Sequence, residues 1–402
     1  MSVERPITRG LVWALGASQL VCWGVSYYVI AVFGAAIGAE LGWSQTVTYG
    51  GFSAALLVMG LVSPAVGRAV DRRGGRRVMV AGSCLTALAC IGLSLAHDLA
   101  VYYAAWLLFG LSMRMTLYDA AFAALARIGG KAARRPISQI TLLGGLASTV
   151  FWPIGHALSD AFGWRAALLA YAACALATVP LHLVIPVVAE PVPGPVPPPD
   201  AAAPAEPQAA AAAARDERLA GLLYALIVTA TSFLNSGISA GMIDLLTGLG
   251  LAAGAAVWIS TLRGIGQSLA RLCEIAFGRR LSPLALGMVA TALLVACFLA
   301  GPFGGVSVPM AVAFAFLYGA GNGLVTIVRG TMPLVLFDPR SYGTRVGRLL
   351  APSFYLAAVA PICFALLVER FGEIAAFALS GALAALALAA AFLLWLRFRG
   401  SV

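Results

Sequence analysis

The chain has 402 residues, of which 61% are hydrophobic and only 10% are charged, and its formal net charge at pH 7 is +10. Soluble globular proteins contain roughly 45–50% apolar and about 25% charged residues. A soluble core cannot bury so much apolar surface, so the composition predicts an integral membrane protein and excludes a soluble enzyme, a secreted disulfide-rich domain and a nucleic-acid-binding protein.

Long uninterrupted apolar segments indicate helices. A strand of a membrane β-barrel alternates over about ten residues, whereas a helix needs about 20 apolar residues to cross ~30 Å of hydrocarbon. We predict an all-α protein with twelve transmembrane helices, at 8–37, 44–70, 76–96, 99–127, 136–160, 164–188, 218–248, 253–279, 281–302, 307–337, 342–368 and 372–397. The first segment is too long for a signal peptide and has no small-residue cleavage site, so we expect it to remain as a membrane helix.

Basic residues are distributed unevenly between the predicted loops. Twenty of the 26 Lys and Arg residues fall on the side that holds both termini, and only Arg165 and Arg370 fall on the other side. The remaining four lie within predicted helices, namely Arg114, Arg263, Arg271 and Arg329. Because basic loops remain in the cytoplasm, we predict a multi-pass protein of the bacterial cytoplasmic (inner) membrane with both termini cytoplasmic. This explains most of the positive charge without a nucleic-acid partner.

A segment rich in Pro and Ala at 190–217 separates two groups of six predicted helices. Such a composition cannot build a core, so it predicts a flexible cytoplasmic linker. We therefore expect an N-terminal six-helix bundle at 1–189 and a C-terminal six-helix bundle at 218–402.

The loop after the second helix of each half carries a related pattern. An acidic residue, Asp71 or Glu274, is followed four residues later by a glycine and then by two arginines. Repetition of this kind between two six-helix halves is typical of two-bundle secondary transporters.

The complete loop reads Gly67-x-x-x-Asp71-Arg72-x-Gly74-x-Arg76-Arg77 and resembles the loop signature of the major facilitator superfamily. The resemblance implies two pseudo-symmetric six-helix bundles around a central cavity, lined by helices 1, 4, 7 and 10, and alternating access by rocking of the bundles. It also implies that the six named loop residues form a conformational latch. In that latch Asp71 would pair with arginines and with a neighbouring helix end, which favours the outward-open state.

The repeat extends the latch to the second half. Arg271 and Glu274 lie three residues apart on one predicted helix face, so we expect them to pair with each other in a second latch. For the arginines of the first loop, simple anchoring at the inner membrane face is the alternative role.

Two features resemble the oxalate and monocarboxylate branch of the superfamily: the aromatic segment 23–28 in the first helix and Arg263 within the eighth. Two positions depart from that branch. The residue four positions before Arg263 is Ile259 and carries no acid, and no spaced glycines follow Arg114 in the fourth helix. The resemblance implies a small carboxylate substrate, and these departures weigh against it.

Polar and aromatic side chains share faces of the predicted cavity helices at 100° per residue. In lipid such faces must contact protein or water, so we expect them to converge on the cavity, although Ser and Thr can instead bond to helix carbonyls. The predicted substrate-binding residues are Gln19, Trp23, Tyr27, Asn235, Arg263, Gln267, Asn322 and Arg329.

Charged residues within the helices are the strongest site candidates. Burying an arginine at membrane depth costs at least ~2.5 kcal/mol, so Arg263 and Arg329 should be paired or liganded. The guanidinium fork suits a carboxylate ligand. Alignment of the two halves places Asp119 beside Arg329, which predicts an acid–base pair for gating or proton coupling that forms when the cytoplasmic side closes.

These residues predict a secondary transporter for a small organic anion such as a carboxylate, with or without protons. The alternatives are a proton-coupled exporter of amphipathic drugs or metabolites, with Asp119 as its proton site, and a receptor on the same scaffold. The sequence contains no nucleotide-binding loop, paired metal motif or nucleophile turn, so we expect no enzyme activity, cofactor or metal. The expected partners are the substrate, the lipid bilayer and, in a coupled cycle, protons.

Overall fold

The computed structural model describes residues 7–187, 207–278 and 281–401, and it is helical over nearly all of them, with no strand among these residues. The all-α prediction is therefore confirmed. In the N-terminal half the elements are α1 (Arg9–Cys22), a π-helical turn (Trp23–Tyr27), α2 (Val29–Leu41), α3 (Gln45–Arg73), α4 (Gly75–Ser94), α5 (Leu99–Thr116), α6 (Tyr118–Gly129), α7 (Arg134–Gly144) and α8 (Ala147–Leu183).

The C-terminal half repeats this helical organisation. Its α-helices are α9 (Pro207–Gly248), α10 (Ala253–Phe277), α11 (Pro283–Ala300), α12 (Val308–Thr331), α13 (Pro333–Leu336) and α14 (Tyr342–Phe398). Two of the long helices change direction inside their range. α8 does so at Gly163 and α14 at Gly372, where the φ angles are 78° and 79° and only glycine is free of a steric penalty.

Eight segments of the described chain are long and apolar enough to cross a membrane. The two longest, Leu99–Leu183 and Pro339–Phe398, contain 85 and 60 residues, and each includes one of the two glycine bends. Each is too long for one crossing of ~30 Å at 1.5 Å per residue. The multi-pass membrane architecture is thus established, and the number of twelve crossings stays a prediction.

The second part of the predicted linker is helical. α9 begins at Pro207, so the prediction of a flexible linker does not hold for residues 207–217, while residues 190–206 lie outside the described residues. The physical reason is the run of alanines, the residue with the highest helix propensity, which follows a proline suited to a first helical turn. Ion pairs of Asp216 with Arg397 and of Glu217 with Arg345 fasten this helix to α14.

Three predicted transmembrane helices of the N-terminal half are interrupted within their length. The first carries the π-helical turn, α5 and α6 are separated at Leu117, whose ψ is −176°, and α7 ends at Gly144. The bend at Gly144-Gly145 follows from the two glycines. The other two interruptions have no proline, and the sequence offers no signal for the one at Leu117.

The two halves pack against each other on the side of the molecule where α1 begins and α14 ends, which we call the terminal side. There the backbones of Gly67 in α3 and Gly343 in α14 approach so closely that a Cβ at residue 67 would collide with the carbonyl of residue 343. The same two helices remain in contact further along, since Ser53 Oγ donates to the carbonyl oxygen of Ala358 at 3.4 Å.

Candidate functional site

An aromatic cluster of the N-terminal half lies at the π-helical turn. The ring centroid of Trp23 is 4.9 Å from that of Tyr27 and 4.9 Å from that of Tyr118, and Tyr27 is 5.0 Å from Phe52. The turn itself is held by a hydrogen bond from Tyr28 N to Trp23 O at 3.2 Å, five residues back. π-Helical turns recur at functional sites because the extra residue redirects side chains.

The aromatic cluster faces arginines of the C-terminal half. Tyr27 interacts electrostatically with Arg263 and Arg329, and Tyr28 interacts with Arg263 and Arg271. The charges of arginines on α10 and α12 therefore act on this part of the N-terminal half from the other half. We take this region between the halves as the candidate functional site.

Arg263 is the central cation of the site. It lies ten residues after Ala253, about 15 Å along α10, and is half-buried. Its guanidinium carbon is 6.0 Å from the ring centroid of Tyr318, while its backbone packs against Gly319 of α12. Within the described chain, no carboxylate lies within ion-pair distance of Arg263. Its charge is therefore available to a ligand.

Asp119 and Arg329 form a bidentate ion pair across the two halves. Arg329 Nε donates to Asp119 Oδ1 at 2.9 Å and Nη2 donates to Oδ2 at 2.8 Å. The side chain of Arg329 is 19% exposed and that of Asp119 is 9% exposed. The guanidinium carbon of Arg329 lies 5.2 Å from the ring centroid of Phe354. The pairing that the repeat alignment predicted is present, and its role in gating or proton coupling stays a proposal.

Arg114 is a second arginine beside this pair. It is 2% exposed, its Nε donates to Ser63 Oγ at 2.9 Å, and its Nη1 has no hydrogen-bond partner in the described part of the chain. On an unbroken helix, Arg114 and Asp119 would point about 140° apart. Because the helix breaks at Leu117, that angle does not apply, and the two charges interact.

The polar residues predicted as ligands occupy different surroundings. Gln19 is fully buried, and its Nε2 donates to the carbonyl of Thr116 at 2.8 Å inside the N-terminal half. Asn322 Nδ2 donates to the carbonyl of Tyr318 within α12 at 2.9 Å. Asn235 accepts a hydrogen bond from a neighbouring serine, and Gln267 packs against α12. Their assignment as substrate ligands stays a prediction.

The first loop contacts the other half through Asp71. Its Oδ1 accepts from the backbone N–H of Gly343 at 2.9 Å and its Oδ2 accepts from that of Thr344 at 2.6 Å, at the N-terminus of α14. Gly74 ends α3 with a φ of 82°. Arg72 and Arg77 are exposed and Arg76 is half-buried, and in the described residues none of the three forms an ion pair with Asp71. The interaction of Asp71 is therefore with a helix end and, electrostatically, with an arginine of α6.

The second loop is organised differently from the prediction. Over the described ranges, no ion pair joins Arg271 to Glu274, so the predicted internal pair is wrong. Arg271 is 2% exposed and turns toward Gly145, where the missing side chain leaves room, and its Nη2 donates to Thr326 Oγ1 at 3.3 Å. Its Nε and Nη1, like Glu274 Oε2, have no hydrogen-bond partner in the described part of the chain.

A further arginine, which the sequence analysis did not predict, joins the two halves on the terminal side. Arg134 at the start of α7 donates to the carbonyl oxygen of Gly278 at 3.0 Å and to that of Leu281. Together with the contacts of Asp71 and Asp119, this joins the halves at three places on the terminal side. The arrangement can change the access to the central site if these contacts break.

Comparison with known proteins identifies the family. The family model of the Major Facilitator Superfamily matches residues 15–272. The crystal structure of the human organic anion transporter MFSD10 (TETRAN) is similar with a TM-score of 0.69 and 20% identity, over 97% of this chain and 100% of that chain. The proton:xylose symporter XylE bound to 6-bromo-6-deoxy-D-glucose gives 0.67 and 14%, over 97% and 95%.

No curated protein sequence matches the chain. The two solved structures share its fold over nearly their whole length, and the family model covers more than half of its residues. The chain therefore belongs to the major facilitator superfamily and has the fold of its membrane transporters.

Proposed function

We propose that this protein is a secondary active transporter that moves a small organic anion, such as a carboxylate, by alternating access. The observation that carries the proposal is the charge of the central site, where Arg263 lacks a carboxylate partner in the described part of the chain. An arginine at membrane depth needs a counter-charge because its insertion costs at least ~2.5 kcal/mol. A bound anion supplies that charge.

The residue type supports a carboxylate in particular. The guanidinium of Arg263 presents a planar fork of donors that matches two carboxylate oxygens. The hydroxyl group of Tyr27 belongs to the same electrostatic neighbourhood and can donate to the same ligand. Tyr318 is fully buried and its hydroxyl donates to backbone carbonyls of α9, so it contributes its ring and not a hydrogen bond. One similar protein is described as an organic anion transporter and another as a proton symporter, which agrees with the proposal, although the likeness extends to the fold only.

The orientation follows from the basic loops. We propose that the terminal side is cytoplasmic, in the bacterial cytoplasmic membrane, so that contacts of Asp71, Asp119 and Arg134 close the inner side. The structure then represents a state closed toward the cytoplasm. Since Asp119 binds Arg329 in this state, separation of the halves breaks a buried ion pair and biases the balance between the two states.

The second candidate is a proton-coupled exporter of amphipathic compounds. The aromatic cluster of Trp23, Tyr27, Tyr118 and Phe52 favours it, because aromatic rings bind flat apolar ligands and cations. In that cycle Asp119 would take up the proton.

The two candidates separate in a binding measurement on the purified protein. We expect mono- or dicarboxylates to bind to the wild type, Arg263→Lys to lose at least tenfold in affinity although the charge remains, and Arg263→Ala to lose binding altogether. The matched control is Arg340→Ala, an exposed arginine outside the site. Wild-type anion affinity in Arg263→Ala would overturn the role of Arg263 as the anion ligand. Binding of amphipathic cations to the wild type without any binding of carboxylates would overturn the anion proposal in favour of the exporter.

A further inference from the structure

Asp119 has two arginines in its surroundings but binds only one of them. Arg329 occupies both carboxylate oxygens, at 2.9 and 2.8 Å. Arg114 interacts electrostatically with both Asp119 and Arg329, yet its Nη1 has no hydrogen-bond partner in the described residues. The buried cluster therefore contains two positive charges and one negative charge.

The two arginines belong to different halves. Arg114 and Asp119 flank the break between α5 and α6 in the N-terminal half, and Ser63, which accepts a hydrogen bond from Arg114 Nε at 2.9 Å, is also in that half. Arg329 lies on α12 of the C-terminal half. When the halves separate on the terminal side, Arg114 stays with Asp119 and Arg329 leaves.

The other titratable groups near Asp119 leave with Arg329. Tyr224 and Tyr342 interact electrostatically with Asp119, and both lie in the C-terminal half. Their hydroxyl groups donate to the carbonyl oxygens of Arg329 and Gly330, which lie on α12. Arg114 on α5, Arg329 on α12, Tyr224 on α9 and Tyr342 on α14 are ionisable residues that interact electrostatically with Asp119.

When the terminal side opens, Asp119 loses both hydrogen bonds to Arg329, and its charge needs a new counterpart because an unpaired charge in an apolar surrounding is strongly destabilising. Water, a proton and the guanidinium of Arg114 can each supply it. The unused Nη1 donor of Arg114 lies on the same side of the separating interface and supplies the third.

We propose that Arg114 and Arg329 alternate as partners of Asp119, so that Asp119 remains ionised in both states and carries no proton through the cycle. Arg114 is a positioning residue in this scheme and replaces Arg329 when the terminal side opens. The proposal rests on the alternating access of the proposed function. It assigns any proton coupling to a group other than Asp119.

The scheme also explains why the closed state can open. The closed cluster holds Arg114 beside Arg329, two like charges of which only one is paired with a carboxylate. The free-energy cost of breaking the bidentate pair is then partly offset by the new pair between Asp119 and Arg114 and by the loss of repulsion between Arg114 and Arg329. The two states can lie within a few kcal/mol of each other, as a transport cycle requires.

The test measures how the opening of the terminal side depends on pH. Spin labels on cysteines introduced at the exposed positions Lys131 and Arg340, in a functional variant without the seven native cysteines, report the distance between the halves by pulsed electron resonance. The open fraction is measured in vesicles frozen between pH 5.5 and 8.5. We expect the open fraction of the protein with all cluster residues intact to be independent of pH.

Arg114→Gln is expected to introduce a pH dependence. In the open state its Asp119 has no cationic partner, which favours proton binding over the closed state, so the ratio of open to closed molecules should rise as the pH falls, by at most tenfold per pH unit. Adding Asp119→Asn should remove this dependence. In Arg114→Lys, which keeps the charge, and in Ser63→Ala, which keeps both arginines, the open fraction should not depend on pH.

Three results would overturn the proposal. The first is a pH dependence in the protein with Arg114 intact that Asp119→Asn removes, because Asp119 would then carry a proton; this result decides the question even if Arg114→Gln fails to fold. The second is a folded Arg114→Gln variant without pH dependence. The third is a single distance under every condition, which would reject alternating access itself and thereby the proposed function as well.

Discussion

Two contacts between the halves, which we call seams, lie on the terminal side at equivalent places of the internal repeat. One is made by an acidic side chain and the other by a basic side chain. At the seam between α3 and α14, the carboxylate of Asp71 accepts from the N–H groups of Gly343 and Thr344 at the start of α14. At the seam between α7 and α10, the guanidinium of Arg134 donates to the carbonyl of Gly278, which caps the end of α10. Each charge thus matches the dipole of the helix end that it contacts.

The seams differ in how closely the backbones approach. Gly67 and Gly343 bring α3 and α14 into backbone contact, and Gly347 packs in the same way against Ser63. Between α7 and α10, the atoms opposite Gly145 belong to the flexible side chain of Arg271. Backbone contacts cannot adjust, whereas a long side chain can move. We therefore expect the first seam to be rigid and the second to be compliant.

The largest effect should come from filling the backbone contact of the rigid seam. Gly67→Ala places a methyl group against the backbone of Gly343, so closure of the terminal side should become less favourable by about 1–3 kcal/mol. The spin-label distance should show a larger open fraction, and transport into proteoliposomes should fall accordingly. Gly145→Ala, the matched change at the compliant seam, should have little effect because Arg271 Nη1 can move. Equal effects of the two variants would show that the seams do not differ.

An intermediate effect is expected from removing the charge of Asp71. Asp71→Asn loses the interaction of a carboxylate with two N–H groups of a helix N-terminus, which contributes about 0.5–2 kcal/mol. The open fraction of the terminal side should rise by about tenfold. Glu274→Gln, its counterpart in the repeat, should shift the open fraction less, because Oε2 of Glu274 has no hydrogen-bond partner in the described part of the chain and its interaction with Arg134 of the other half is electrostatic. A larger shift for Glu274→Gln than for Asp71→Asn would reverse the comparison.

The sequence predicted those parts of the structure that depend on composition and repetition. Long uninterrupted apolar segments predicted the helical class, the resemblance of the loop motif predicted the contact of Asp71 with a helix end, and alignment of the halves predicted the pairing of Asp119 with Arg329. It failed where a helix is interrupted. The rule of 100° per residue assumes an unbroken helix. It therefore did not predict the positions of Arg114, beside the break at Leu117, and of Tyr28, beside the π-helical turn.

The prediction of an ion pair in the second loop failed for a different reason. Spacing placed Arg271 and Glu274 on one helix face, but spacing does not show that a glycine of the opposite half leaves space for the longer side chain. The partner of a buried arginine is decided by packing between distant segments. Residues of the same helix therefore predict such a pair poorly, whereas residues at equivalent depth in the two halves predicted the pairing of Arg329.

The smallest effect is expected at the compliant seam. Arg134→Gln removes a cation from the carbonyl end of α10, an interaction worth about 0.3–1 kcal/mol, so the open fraction of the terminal side should rise by less than about sixfold. Arg135→Gln removes a neighbouring exposed arginine and is the matched control, for which we expect no shift. Because both seams close in one transition, the free-energy changes of Asp71→Asn and Arg134→Gln should add in the double variant. A double variant that opens no further than Asp71→Asn alone would show that the seam between α7 and α10 separates before the seam between α3 and α14, in a cycle with two opening steps.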